Sequence, residues 1–159
     1  MSKSIIRVER AARDLGLDIS VQRMPDTTRT AQDAAATCGC AVGQIVKSLI
    51  FEGAMTQRLK LLLVSGEHEV DLVHAEGLFG EPLTKADPKR IRSETGFAIG
   101  GVAPIGHLSV TETWMDSSLL RHDVVWAAAG APNAVFSVSP DDLKEATKAE
   151  VFLAGFQGR

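Results

Sequence analysis

The strongest constraint on the fold is the run "LKLLLVSG", Leu59–Gly66, which is apolar at nearly every position. A strand that is apolar on both faces must be covered on both sides, so this run predicts a central strand. The preceding stretch "QIVKSLIFEG", Gln44–Gly53, has the β-branched and apolar content of a second strand. Since only Gly53–Arg58 separates them, the two strands are expected to form a hairpin.

The rest of the chain mixes strand patterns with helices whose caps can be predicted. The expected caps are Thr30 with Asp33 three residues on, Asp87 before Pro88 and Ser139 before Pro140, with Gly39 and Gly96 as helix ends. Strands are predicted in "ISVQRM", "LSVTET", "DVVWAAAG", "AVFSV" and "EVFLAGF", and helices in Ser4–Leu17, "AQDAAATCG", "VDLVHAEGLFG", "ADPKRIRSETG", "MDSSLLRH" and "SPDDLKEAT". "PDTTRT" is expected to be a turn. We therefore expect one α+β domain over residues 1–159, with a mixed, largely antiparallel curved sheet flanked by helices.

Composition excludes several functional classes. The net charge is −3, whereas a protein that lives on duplex nucleic acid is usually basic. No apolar run approaches the ~20 residues of a membrane span, and the N-terminus lacks the apolar core of a signal peptide. A cytoplasmic protein without membrane or DNA partners is expected. Cys38 and Cys40 are too close for a good disulfide and too few for a zinc site, so no metal is predicted.

Side chains with familiar catalytic patterns are missing. In "HEVDLVH" Leu72 stands where a zinc-protease helix needs its second histidine, and neither a G-x-S-x-G nor a Walker pattern occurs. No cofactor is predicted. Two features remain, Lys47 within an apolar strand pattern and the glycine-rich stretch "TGFAIGGVAPIG", Thr95–Gly106. A strand lysine can face solvent or an anion, and glycines can form a plain connection or bring backbone N–H groups close to a ligand.

Three motifs together resemble a known family. "VGQIVKSLIF", "TGFAIGGVAPIGH" and "AAAGAPNAVFSVSPDDL" are similar in order and spacing to the YbaK/ProX family of trans-editing aminoacyl-tRNA deacylases, which includes the insertion editing domain of bacterial prolyl-tRNA synthetase. The resemblance covers about Ile5 to Leu153. It implies hydrolysis of the ester that joins a wrong amino acid to the 3′ end of a tRNA, usually tRNA for proline.

The resemblance also assigns the candidate residues. The catalytic candidates are Lys47 and the loop residues Gly100, Gly101 and Val102. The candidates for substrate binding are Thr28, Thr30, Ser48, Pro104, Ile105, Gly106, Gly130 and Asn133. In this hypothesis Lys47 contacts the phosphate of the terminal adenosine or orients the ester, and the loop amides stabilise the oxyanion. The ribose 2′-hydroxyl of the substrate assists the attacking water.

Three alternatives stay open from the sequence. The stretch "GAPN" differs from the corresponding part of both the cysteine-editing and the alanine-editing branches, so the amino acid removed is alanine, 2-aminobutyrate, serine, threonine or cysteine, with a small residue other than cysteine favoured. The chain could instead be a non-catalytic module that binds tRNA or a synthetase, or an esterase for small activated acyl compounds. Expected partners are the acceptor end of aminoacyl-tRNA and, with it, prolyl-tRNA synthetase or an elongation factor. A positive rim for tRNA is expected from Arg23, Arg29, Lys47 and His107.

Overall fold

The computed structural model describes residues 2–25 and 30–154. Within these ranges the helices are α1 (Lys3–Asp14), α2 (Ala31–Cys38), α3 (Ala75–Phe79), α4 (Pro88–Thr95) and α5 (Pro140–Thr147). The strands are β1 (Gln22–Arg23), β2 (Val46–Gly53), β3 (Leu59–Ser65), β4 (Leu83–Lys85), β5 (Glu112–Asp116), β6 (Val125–Ala128), β7 (Ala134–Val138) and β8 (Glu150–Phe152). Short 3₁₀ helices span Val42–Gln44, Leu72–His74 and Ser117–Arg121.

The predicted hairpin forms the centre of a five-stranded sheet with the order β4-β2-β3-β5-β8. β2 and β3 pair antiparallel from Val46↔Ser65 to Glu52↔Leu59, and β3 pairs in parallel with β5 on its other side. Every residue of β3 is buried. The prediction of a central strand is confirmed, because a strand covered on both faces can be apolar throughout.

The remaining strands form a second, antiparallel sheet with the order β1-β7-β6. The two sheets meet at one isolated parallel bridge, between Ile45 and Trp126. The α+β class and the mixed pairing are confirmed, but the strands are divided between two sheets. A strand pattern indicates which residues are extended and not which strand they pair with, so this division could not be predicted from it.

The caps that the sequence predicts are present. Thr30 and Asp33 form a capping box at the start of α2, and Gly39 ends the helix at φ 69°. Asp87 and Ser139 cap α4 and α5, each of which has a proline in its first turn. Only α1 differs, because Ser2 caps it and it ends at Asp14 rather than Leu17.

Several of the helix and strand boundaries predicted from the sequence are wrong. β4 was not predicted, since three residues carry too little pattern, and it is held by pairing with Phe51–Gly53. The strand expected in "LSVTET" lies later, at Glu112–Asp116, and "ISVQRM" contributes only Gln22–Arg23. Much of the turn expected in "PDTTRT" lies outside the described residues.

The main core fills the space between the two sheets. Leu61 and Leu63 of β3 belong to the same buried cluster as Val125 and Phe136 of the second sheet, with α1 packed against it through Ile5 and Val8. A smaller cluster covers the opposite face of β3, where Phe79 packs edge-on to Trp114 at 5.1 Å between ring centres. No helix in the described ranges is long and apolar enough to cross a membrane.

Candidate active site

A cavity of about 580 Å³ lies where the two sheets separate beyond the Ile45–Trp126 bridge. Its walls come from the start of β2, from β6 and β7, from α2 and from the glycine-rich loop. Its volume falls in the range of ligand sites in proteins, roughly 300–1,000 Å³. The described residues that line it are Met24, Thr30, Ala31, Ala34, Ile45–Leu49, Gly100, Val102, Trp126–Ala128 and Ala131–Val135.

Lys47 lines this cavity from the second residue of β2. Its ammonium group donates a hydrogen bond to the backbone carbonyl of His68, in the loop that follows β3. No carboxylate among the described residues lies within ion-pair distance of it. A half-buried ammonium without a carboxylate partner keeps its charge available for an anionic ligand.

A buried carboxylate holds the His68 segment in place. Asp116 is fully buried and accepts hydrogen bonds from the His68 Nδ1–H group at 2.8 Å and from the backbone N–H of Ser65 at 3.1 Å. Ser118 donates its hydroxyl to the other carboxylate oxygen at 2.8 Å. The sequence offered no partner for this histidine, because Asp116 is 48 residues away.

The Ser118–His68–Asp116 cluster is not a nucleophilic triad. In a triad the serine and the carboxylate contact different nitrogens of the imidazole ring. Here Ser118 Oγ lies 3.3 Å from Nδ1, the same nitrogen that binds Asp116, and the serine is buried. The cluster therefore fixes the carbonyl group that receives Lys47.

The glycine-rich loop lines the same cavity as Lys47, through Gly100 and Val102. Gly100 has φ 92°, a conformation that L side chains rarely adopt, and space is open where a Cβ would stand. Gly101 packs against the turn between β6 and β7, since a Cβ there would lie 3.0 Å from the Cα of Ala131. Glycine is required at these two positions for different reasons, conformation at one and close packing at the other.

The loop amides differ in availability. The N–H of Gly101 donates to the carbonyl of Ala98 at 3.0 Å, which closes a tight turn. Within residues 2–25 and 30–154, the N–H groups of Gly100 and Val102 have no protein acceptor. Only these two of the three expected amides can thus donate to a ligand in this conformation.

Three predicted binding residues join Lys47 and the loop around the cavity. Thr30 lines it from the N-cap of α2, and Asn133 lines it from the β6–β7 turn at φ 64°. Ser48 lines it from β2, and its buried hydroxyl has no hydrogen-bond partner within the described ranges. A buried polar group without a partner is uncommon, which makes Ser48 Oγ a candidate contact for a ligand.

Other predicted binding residues lie elsewhere. Pro104, Ile105 and Gly106 line a separate cavity of about 340 Å³ on the far side of the loop. Gly130 is buried against α1, where a Cβ would lie 2.9 Å from the Ser4 carbonyl oxygen. These four residues belong to the family motifs or lie beside them, and they were predicted to bind substrate for that reason. After Val102, however, the chain turns away from the cavity. Thr28 lies outside the described residues.

The expected positive rim is only partly present. His107 is half-buried, with Nε2 at 2.6 Å from the Ala103 carbonyl oxygen and Nδ1 at 2.9 Å from the Thr111 hydroxyl. Burial lowers the pKa of His107 below its usual value, so the ring is neutral at neutral pH. Arg23 is exposed on β1, and Arg29 lies outside the described residues.

A second cavity, of about 400 Å³, adjoins the first along β2. The two share Ser48, Leu49, Gly100 and Val102. The second is mainly apolar, and its other described lining residues are Ile50, Phe51, Lys85, Ala86, Pro88, Ile91 and Ile99. None of the described residues that line either cavity is His, Asp, Glu or Cys, so the protein presents no obvious general base there.

A lysine and backbone N–H groups around one cavity are groups that can bind an anion or stabilise a developing oxyanion. The family model of the aminoacyl-tRNA editing domain matches residues 25–146, and the chain belongs to that family. The match includes all of the cavity-lining segments except Met24.

The chain is similar to several other proteins along most of its length. The chain is 44% identical to a solved structure described as a "putative trans-editing enzyme for prolyl tRNA synthetase", with a TM-score of 0.89 over 96% of this chain and 97% of that one. It is 30% identical to the hypothetical protein APE2540, with a TM-score of 0.81 over 91% and 96% of the two chains. It is also 30% identical to the uncharacterized protein YwhH of Bacillus subtilis, over 84% of each chain.

Proposed function

We propose that the protein hydrolyses mischarged aminoacyl-tRNA in trans, and that its substrate is tRNA for proline carrying a small amino acid. The observation that carries the proposal is the convergence of Lys47, Gly100, Val102 and Asn133 on one cavity. Lys47 and the loop come from segments more than fifty residues apart. Membership of the editing family supports deacylation in general.

The proposed chemistry uses the backbone rather than a side-chain nucleophile. Water attacks the carbonyl carbon of the ester, and the N–H groups of Gly100 and Val102 donate to the oxygen that becomes negative. The bond between the carbonyl carbon and the ribose oxygen then breaks, and the ribose hydroxyl leaves with a proton. Because no described His, Asp, Glu or Cys lines the cavity, the vicinal 2′-hydroxyl of the substrate is the proposed proton relay.

The two adjoining cavities support a proposed position for the ester. The ester joins the amino acid to the terminal adenosine, so it is the junction of a two-part ligand. Gly100, Val102 and Ser48 line both cavities and mark the place where they meet. We infer that the ester lies at this junction, within reach of the two amides, with Lys47 directed at the nucleotide.

Selection among amino acids is proposed to depend on the shape of the pocket. One methylene group is worth only ~1–3 kcal/mol in a hydrophobic pocket, so a synthetase that charges proline also accepts smaller residues at a low rate. A second pocket that admits alanine, 2-aminobutyrate, serine or threonine and rejects proline removes these errors.

The test is to charge one tRNA for proline separately with Ala, 2-aminobutyrate, Ser, Thr, Cys and Pro, and to measure loss of the ester at catalytic protein concentrations. We expect turnover of one or more small residues and none of Pro. Fastest loss of Cys assigns the cysteine-editing alternative. Binding without turnover of any ester sinks the enzyme proposal, and equal turnover of free amino-acid esters favours an esterase that does not read tRNA.

A further inference from the structure

Arg7 of α1 joins the two ends of the glycine-rich loop. Its Nε–H donates to the carbonyl of Gly106 at 2.7 Å, and its Nη2 group donates to the carbonyl of Gly96 at 2.9 Å. Nη2 also lies 3.4 Å from the Thr95 carbonyl oxygen. One planar guanidinium group thus links the residue that ends α4 to the residue that ends the loop.

The same side chain packs on the loop between these two points. The guanidinium carbon of Arg7 lies 4.6 Å from the centre of the Phe97 ring, in a cation–π contact. No carboxylate in the described ranges pairs with Arg7. Its charge is therefore directed at backbone carbonyls, which bind a guanidinium more strongly than a neutral donor.

Helix α1 also contacts the β6–β7 turn, which forms another wall of the cavity. A Cβ at Gly130 would lie 2.9 Å from the Ser4 carbonyl oxygen, and a Cβ at Gly106 would lie 3.3 Å from the Cα of Val8. The backbone of α1 is thus in close contact with both the loop and the β6–β7 turn. These two walls touch each other where Gly101 meets Ala131.

The loop is least restrained at Ile99 and Gly100. Ile99 is 60% exposed, and nothing lies within 4 Å of a Cβ built on Gly100. From Gly101 onward the loop is held more firmly, since the Gly101 N–H donates to the Ala98 carbonyl and Val102 is buried. The N–H groups of Gly100 and Val102 are the ones directed to the ligand in the proposed function. The position of the Gly100 amide therefore depends most on how firmly the loop ends are held.

We propose that Arg7 is a positioning residue that holds the amides of Gly100 and Val102 in register with Lys47. This inference rests on the proposed function for its catalytic consequence, although the restraint on the loop is independent of it. Lysine cannot replace arginine here, because a single ammonium lacks the planar fork that reaches both carbonyls and stacks on the ring.

The experiment compares Arg7→Ala and Arg7→Lys with Arg10→Ala, which removes an exposed arginine from the same helix. Hydrogen exchange of the backbone amides of residues 97–103 reports on the loop without any substrate. In both Arg7 variants we expect faster exchange there and unchanged exchange in β2 and β3, with wild-type exchange in Arg10→Ala. Wild-type exchange in the loop of Arg7→Lys overturns the proposal.

The second measurement is deacylation of the best substrate from the charged-tRNA panel. A displacement of about 1 Å in a catalytic group can cost ~100-fold in rate, so kcat is expected to fall by about that factor in both Arg7 variants with KM little changed. Added guanidinium ion, at a concentration that leaves the fold intact, is expected to restore part of the rate in Arg7→Ala alone. An unchanged kcat in a folded Arg7→Lys variant overturns the positioning role.

The two measurements separate the two proposals. If the wild-type protein removes no amino acid from any tRNA, the proposed function fails, and the exchange experiment still decides whether Arg7 restrains the loop. If the wild-type protein is active and the loop exchange is unaffected by Arg7→Lys, only the positioning role fails.

Discussion

Two lysines on the paired strands β2 and β3 have opposite surroundings. Lys60 is 3% exposed and lies between two carboxylates, with its Nζ at 2.6 Å from Glu112 Oε2 and 3.3 Å from Glu81 Oε2. Lys47 is half-buried, lines a cavity and donates to a backbone carbonyl. The charge of Lys60 is neutralised within the protein, whereas that of Lys47 is left for a ligand. Whether a lysine has a carboxylate partner within the protein therefore distinguishes a structural lysine from a candidate functional one.

The carboxylates around Lys60 are themselves hydrogen-bonded. Glu81 accepts bonds from the backbone N–H groups of Thr56 at 2.9 Å and Met55 at 2.8 Å, and from the Thr56 hydroxyl at 2.8 Å. Glu112 accepts one from the Trp114 indole at 2.7 Å. Every charge in the cluster thus has a partner, which is the condition under which buried ion pairs persist.

The largest expected effect is on folding, from Lys60→Met. Removing one partner of a buried ion pair leaves an uncompensated charge, so the free energy of unfolding should fall by about 3 kcal/mol. Urea denaturation checks this, and kcat measured well below the melting temperature should stay at the wild-type value. A large loss of kcat in the folded variant would contradict the structural role of Lys60.

The matched change at the other lysine, Lys47→Met, should lower activity strongly and change stability little. In the proposed function Lys47 holds the nucleotide, and a misplaced substrate typically costs ~100-fold in rate, so kcat/KM for deacylation should fall by about that much. The midpoint of urea denaturation should move little, because no described carboxylate loses its partner. Wild-type deacylation by this variant would remove Lys47 from the mechanism.

A smaller effect is expected from Gly101→Ala, which adds a methyl group where the loop meets Ala131. The added Cβ would lie 3.0 Å from the backbone of Ala131, so the loop and the β6–β7 turn must move apart. We expect the free energy of unfolding to fall by about 1 kcal/mol or somewhat more. The separation widens the cavity, and we expect the ratio of proline to small-residue deacylation to rise. Gly77→Ala is the control, since space is open around that exposed glycine. An unchanged ratio would show that this contact does not set the width of the pocket.

The smallest effect is on the acid stability of the Lys60 cluster. Hydrogen bonds to Glu81, with that from the backbone N–H of Thr56 as the largest cause, lower its pKa from 4.5 to about 2. A lowered pKa in the folded state means that the ionised group stabilises the protein above pH 4.5, and that this stabilisation is lost as the pH falls towards 2. Urea denaturation at several pH values in this window should show a shallower decline for Glu81→Gln. An identical decline would indicate that Glu81 is not the titrating group.

Predictions from the sequence succeeded where neighbouring residues determine the outcome. The capping box of Thr30 and Asp33 and the hairpin of β2 and β3 are encoded within a few residues, and both are present. The family was indicated by three motifs whose order and spacing can be read directly from the chain.

Predictions failed where distant segments decide. No local pattern predicts that Asp116 binds His68, or that the carbonyl of His68 accepts a hydrogen bond from Lys47. Pro104–Gly106 belong to the loop motif but face another cavity, since Arg7 binds the Gly106 carbonyl from α1. Residues that are neighbours in a sequence motif therefore need not share a site. The side of the loop on which each residue lies is the better evidence.

The single bridge between Ile45 and Trp126 has a consequence for how such domains diverge. Each sheet keeps its own ladder of hydrogen bonds, and among the described residues that bridge is the one point at which strand pairing joins the two sheets. Substitutions that alter the angle between the sheets therefore change the width of the cleft while both ladders remain intact. Descendants of one ancestral domain can in this way acquire different amino-acid preferences in small steps, each of which leaves a folded protein for selection to act upon.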